Sequence, residues 1–220
     1  MQADALSHDV EVSSAGVVLR GILGVPANAT GIVLFAHGSG SGRLSPRNNY
    51  VAHVLQEAGL GTLLIDLLTR EEEIADARTG HLRFDIDFLA RRLLDAARWL
   101  VESSATASLA VGYFGASTGA AAALQAAAAG EPPIFAVVSR GGRPDLAMAS
   151  LSAVKVPTLL IVGGEDVPVI ALNRDAYKAL GGEKELNIVP GATHLFEEPG
   201  ALESVARLAS EWFVRHLPPA

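Results

Sequence analysis

Serine, histidine and an acid are the residue types from which a nucleophile, its base and an orienting group are built. The chain offers one of each in a telling order: Ser117 in "GASTG", Asp166 in "GGEDVPV" and His194 in "GATHLFEEPG". Ser117 sits between Gly115 and Gly119, at an expected strand-to-helix junction. Such a junction is a tight elbow whose flanks must lack side chains, so that neighbouring backbone can approach and the serine is held out at the sheet edge. A serine hydroxyl needs a base. Of six histidines, His8 precedes the first strand, His53 and His216 lie within helices, and His81 lies in a charged segment. His37 closes a strand ahead of a glycine loop and suits a bond to that loop's backbone. His194 follows a strand and precedes the last helix, at the same edge as Ser117. Asp166 ends another strand and is the expected orienting acid, with Glu165 as the alternative.

Acyl chemistry also needs two backbone N–H groups aimed at the developing oxyanion. The residue after the nucleophile, Thr118, is the expected first donor. The loop "HGSGSG" (residues 37–42) supplies the second, from Ser39, with Gly40 next in line. As a phosphate cradle this loop lacks the Lys-Ser/Thr of a P-loop and the spacing of a dinucleotide site. Gly40, Arg43 and Arg140 are candidate substrate contacts. An arginine there could hold an anionic substrate group bidentately, and Arg143 stands nearby. The competing expectation is loop-fixing ion pairs with Asp145, Asp66 or Glu71. Asn48 and Asn49 read as a helix start signal. The histidines are scattered and no metal-binding spacing appears, so no metal or other cofactor is expected.

These residues need elements to carry them. Asp9–Ser13 and Val17–Val25 read as a hairpin around "SSAG". Short apolar runs follow as buried strands at Gly31–Ala36, Leu60–Leu67, Ser108–Phe114, Ile134–Ser139, Pro157–Val162 and Lys184–Val189. Helices are expected at Arg47–Ala58, Asp85–Glu102, Thr118–Ala129, Ile170–Leu180 and Ala201–His216, with a short one near Pro144–Ser150. Residues Leu68–Phe84 read as a long charged surface loop with at most a helical turn, and as the one candidate lid. Strand–helix alternation implies a mainly parallel sheet with helices on both faces. The hairpin adds an antiparallel edge. No linker breaks the chain, so residues 1–220 are expected to form a single domain. The short connection between the Ile134 and Pro157 strands leaves no room for a large cap.

Composition bounds the function class. Half of the 220 residues are hydrophobic, enough for a large core, and the net charge of −7 argues against nucleic acid. There is no cysteine, which removes thiol catalysis and disulfides. No basic leader opens the sequence and no apolar run is long enough to span a bilayer. The expectation is a cytoplasmic protein without a membrane or nucleic-acid partner, a monomer or small homo-oligomer acting on a small-molecule ester.

The stretches "FAHGSGSGRLSPRNNYVA", "VGYFGASTGAAAAL", "SRGGRPDLA", "PTLLIVGGEDVPV" and "VPGATHLFEEPG" together resemble the α/β-hydrolases, and more narrowly the dienelactone-hydrolase-related proteins. The resemblance implies an α/β-hydrolase fold, a Ser117–Asp166–His194 triad and ester hydrolysis through an acyl-enzyme. Dienelactone hydrolase itself uses a cysteine nucleophile, so lactone specificity is not implied; relatives with serine resemble general carboxylesterases. Two other readings share the sequence: an acyltransferase or peptidase with the same triad, and a non-catalytic binding module on this fold.

Overall fold

A computed structural model describes residues 7–219. Residues 1–6, part of the stretch read above as carrying no basic leader, lie outside the described residues, as does residue 220. The sheet strands are β1 (His8–Ser14), β2 (Val17–Gly24), β3 (Gly31–Ala36), β4 (Leu60–Ile65), β5 (Ala110–Ala116), β6 (Ile134–Arg140), β7 (Thr158–Gly163) and β8 (Lys184–Val189). The helices are α1 (Pro46–Glu57), α2 (Arg70–Thr79), α3 (Ile86–Glu102), α4 (Thr118–Ala129), α5 (Val167–Ala179) and α6 (Ala201–His216). A 3-10 turn occupies Leu82–Phe84, and two 3-10 segments meeting at a kink at Ala147 occupy Pro144–Ala153.

The eight strands lie in the order β1-β2-β4-β3-β5-β6-β7-β8. β2 runs antiparallel to both β1 and β4, and every pairing from β4 to β8 is parallel. A parallel sheet must hide both faces, and β3, β4 and β7 are buried along their whole length. One face packs on α3, α4 and α5 through Leu89, Leu93, Leu100, Leu124 and Leu180. The other packs on α1 and α6 through Val51, Leu55, Val205 and Phe213. The connection between β6 and β7 holds only the Pro144–Ala153 run, so no large cap covers the carboxyl edge of the sheet. Among the described residues no helix is long and apolar enough to cross a membrane.

Two expectations need correction. The stretch expected as a loop at Leu68–Phe84 contains the ten-residue helix α2. Hydrophobic periodicity could not show it, because the helix buries only Asp76. Its signal lies at the ends: Thr69 and Glu72 form a reciprocal capping box, and Gly80 closes it in the left-handed conformation. The start of α1 is likewise not signalled by Asn48 or Asn49. Ser45 caps it and Pro46 occupies its first turn; Asn49 Nδ2 instead donates back to the carbonyls of Arg43 and Ser45. Smaller shifts are local. β5 begins at Ala110 because a turn around Thr106, whose hydroxyl donates to Leu100 O, uses the preceding residues. α5 begins at Val167, where Pro168 fits the first turn.

Candidate active site

The carboxyl edge of the sheet gathers the loops after β3, β5, β7 and β8. At the end of β5 the chain enters α4 through Ser117, whose φ of 51° and ψ of −121° place an L-residue in the left-handed half of the map. Such strain persists only where its surroundings enforce it. They do so here. Ser117 N–H donates to Arg140 O at 3.2 Å, and Ser117 O accepts from the N–H groups of Ala120 and Arg143, each at 3.1 Å. The flanking glycines are steric requirements: a Cβ at Gly115 would strike the backbone of Ala120, and one at Gly119 would strike the carbonyl oxygen of Ala36.

The structure places His194 and Asp166 in direct contact. Asp166 Oδ2 stands 2.6 Å from His194 Nδ1. A carboxylate only accepts, so Nδ1 carries the proton, and in the neutral ring Nε2 is then the acceptor. Asp166 occupies the N-cap of α5, yet its side chain makes no capping bond; it is given over to the imidazole. Glu165, the alternative acid, is exposed, and its N–H donates to Ala192 O. The histidine loop has its own brace. Glu198 accepts from Thr193 N at 3.0 Å and from Thr193 Oγ1 at 2.6 Å, and these bonds, led by the Thr193 hydroxyl, lower the Glu198 pKa. Ser117 and His194 approach through Gly141. The residue before it, Arg140, accepts from Ser117 N–H, while a Cβ on Gly141 would stand 3.2 Å from His194 O. No hydrogen bond closes from Ser117 Oγ to the imidazole among the described residues; in unliganded sites such contacts commonly tighten only with substrate.

The expected oxyanion donors flank the serine. Thr118 is the first residue of α4, so its N–H is one of the helix's orphan donors. Opposite it, the β3 loop turns tightly: Ser41 N donates to Gly38 O at 3.1 Å and Gly40 takes φ of 71°, the conformation a type II turn asks of its third residue. Gly38 abuts Ser117, since a Cβ there would lie 2.9 Å from Ser117 Cβ. His37 is buried and works as a strut. Its Nε2 accepts from Leu67 N–H at 2.9 Å and its Nδ1 donates to Gly38 O at 2.9 Å.

The arginines divide. Arg43 pairs with Asp66, and Arg143 grips Asp145 through Nε and Nη2. Asp145 accounts for the upward shift of the Arg143 pKa. Arg140 is buried with 8 % of its surface exposed, and burial, aided by the charge of Arg47, pulls its pKa down to about 10. A cavity of about 570 Å³ opens from the loop after β3 towards α2, within the usual range for small-molecule sites. Its far wall includes Glu73, Asp76 and Arg83. That wall was hidden from sequence reading along with α2. Two ion pairs hold it: Glu72 to Arg92 through both guanidinium amino groups, and Asp76 to Arg83 at 2.6 Å. Burial raises both carboxyl pKa values, but the arginine and backbone bonds outweigh it and leave them lowered.

A family model described as the dienelactone hydrolase family matches residues 19–215. The chain is similar to a crystal structure of dienelactone hydrolase from Anabaena variabilis, with 62 % identity, 98 % of this chain and 100 % of that one covered, and a TM-score of 0.96. It shares its fold with Est1E from Butyrivibrio proteoclasticus at 15 % identity, covering 94 % of this chain and 98 % of that one, with a TM-score of 0.80. A Mycobacterium tuberculosis protein named provisionally as a phosphoribosyl transferase is 58 % identical over 210 residues, which are 96 % of this chain and 46 % of that protein. The chain thus spans about half the length of the curated relatives it matches.

Proposed function

On the footing that the chain belongs to the dienelactone hydrolase family, we propose that this hydrolase cleaves carboxylic esters through an acyl-enzyme on Ser117. His194 Nε2 takes the serine proton as Oγ attacks the carbonyl carbon. The tetrahedral oxyanion is held by the N–H groups of Ser39 and Thr118. His194 returns the proton to the departing alcohol, then draws one from water in the second half-reaction. Asp166 fixes the tautomer and stabilises the imidazolium. The observation that carries the reading is the 2.6 Å bond from His194 to Asp166, at the same sheet edge as a serine held at φ 51°. The sheet's open edge suits small or accessible esters. The transferase name of the Mycobacterium tuberculosis relative belongs to a protein of which the matched part is 46 %, and it is not carried onto this site.

Ser117→Ala is expected to abolish p-nitrophenyl acetate hydrolysis and fluorophosphonate labelling while the circular dichroism spectrum stays native. Turnover retained in a folded variant overturns the assignment. Product analysis in the presence of alcohols or amines separates hydrolysis from acyl transfer.

A further inference from the structure

The reaction just described leaves one buried charge without a role. The Nε and Nη1 atoms of Arg140 have no hydrogen-bond partner among the described residues. Buried arginines are normally paired, and Arg43, Arg83, Arg92 and Arg143 each hold a carboxylate here. Arg140 holds none.

Its position is informative. Successive strand residues face opposite sides of a sheet. Ser139 lies on the α4 side, beside Gly142, so Arg140 turns to the side of α1 and α6. Arg47 opens α1 there, near enough for its charge to act on Arg140. α1 is a twelve-residue helix with no acidic residue in its first turn. Arg47 in turn bonds Glu197, three residues beyond His194, at 2.8 Å. On the opposite flank, Gly141 packs against His194. Arg140 therefore occupies the wedge between the N-terminus of α1 and the histidine loop, one strand from Ser117. Asn48, 2 % exposed and on the sheet-facing side of α1, also has its Oδ1 unpartnered.

The charges in this wedge do not balance. Two guanidinium groups and the positive end of α1, equivalent to about half a charge, have one carboxylate bonded to them among the described residues, Glu197 on Arg47. A carboxylate ligand would leave a positive remainder. A phosphate monoester, at about −1.5 to −2 near neutral pH, balances it, and its oxygens suit guanidinium forks. The wedge borders the histidine that protonates the leaving alcohol, so the phosphate belongs on the alcohol portion.

We propose that the site takes esters of phosphorylated alcohols, with the phosphate held by Arg140 and Arg47 at the N-terminus of α1. The inference rests on the serine-hydrolase reading. The ester C–O bond breaks, Ser117 carries the acyl group until water removes it, and the phosphate leaves unchanged on its alcohol.

Two measurements test it. Inorganic phosphate titrated calorimetrically into Ser117→Ala should bind saturably at one site, independently of turnover. Adding Arg140→Met should weaken that binding at least about tenfold, and Arg47→Gln should weaken it several-fold, as expected for charge-assisted bonds. If Arg140→Met fails to fold, Arg140→Lys and the partly exposed Arg47→Gln carry the same comparison. No saturable binding, or binding indifferent to these substitutions, overturns the proposal. In the wild type, kcat/KM for 1-acetylglycerol 3-phosphate should exceed that for 1-acetylglycerol at least about tenfold, and should exceed that for the carboxylate analogue 3-O-acetylglycerate. Equal rates across the three, or a preference for the carboxylate, overturn it. Fluorophosphonate labelling reports separately on Ser117: labelling without a phosphate preference defeats this inference alone, and absent labelling defeats the hydrolase reading.

Discussion

His194 and Asp166 meet at 2.6 Å across 28 residues of sequence, and the acid reaches the imidazole from a helix N-cap that it leaves uncapped. An aspartate at that position would ordinarily bond the helix's own N–H groups. Its diversion to the histidine is a local cost in helix stability, of the kind proteins tolerate where a side chain has another task.

Asp166→Asn should therefore separate task from fold. The amide can present its NH₂ to the ring and so favour the wrong tautomer; kcat should fall by about 10⁴ with the fold intact. Glu165→Gln, on an exposed side chain, should leave the rate near that of the wild type. Steady-state kinetics on one activated ester measure both, and a larger loss from Glu165→Gln would reassign the acid.

The elbow makes a steric prediction. Gly119→Ala directs a methyl group at the carbonyl oxygens of Ala36 and His37. Neither can move without displacing the end of β3. A destabilisation of at least about 2 kcal/mol is expected, near the middle of the overpacking range, read as a lowered midpoint in urea with an unchanged slope. Gly130→Ala, in a left-handed helix cap with open space around it, supplies the contrast: its cost is conformational alone.

The wall of the cavity should loosen in acid. Glu72 and Asp76 have folded pKa values below their ordinary 4.5 and 3.8. A carboxyl so lowered contributes stability that is complete above its unfolded value and is lost as pH falls through its folded value. Amide protection factors across residues 69–84, with the intrinsic pH dependence of exchange divided out, should therefore be high at pH 6 and fall once pH drops below about 4, before those of β5 respond. Exchange in α2 that keeps step with β5 throughout would contradict this.

The legible parts of the molecule were those written in apolar periodicity or glycine spacing. β3, α4, β8 and α6 have the bounds their hydrophobic runs and flanking glycines suggest, because tertiary burial and local pattern agree there. Strand ends put Asp166 and His194 at one sheet edge, with Glu165 still open as the acid. α2 escaped because a helix that buries one aspartate has no apolar stripe to display, although Thr69, Glu72 and Gly80 spelled its two ends. The pairing of Arg43 with Asp66 was among the options that sequence left open. The burial of Arg140 was not: nothing in "VVSRGG" distinguishes an arginine held beneath a loop from one in solvent. Arg47 and the Thr193–Glu198 brace were missed for the same reason, since both depend on which loops fold against each other.

The way α2 is fastened has a consequence for how such a protein could diversify. Ile74, the aliphatic side chain in its middle, is 64 % exposed, and the helix is pinned by Glu72 on Arg92 and Asp76 on Arg83 rather than by interdigitated core. Its anchor points sit at residues 72 and 76, while the positions between and beside them face the cavity or water. The segment from Thr69 to Gly80 therefore behaves as an exchangeable cassette. Its length and side chains can be rewritten to suit a new substrate without touching the sheet, the elbow or the histidine loop, provided the two anchoring carboxylates are kept.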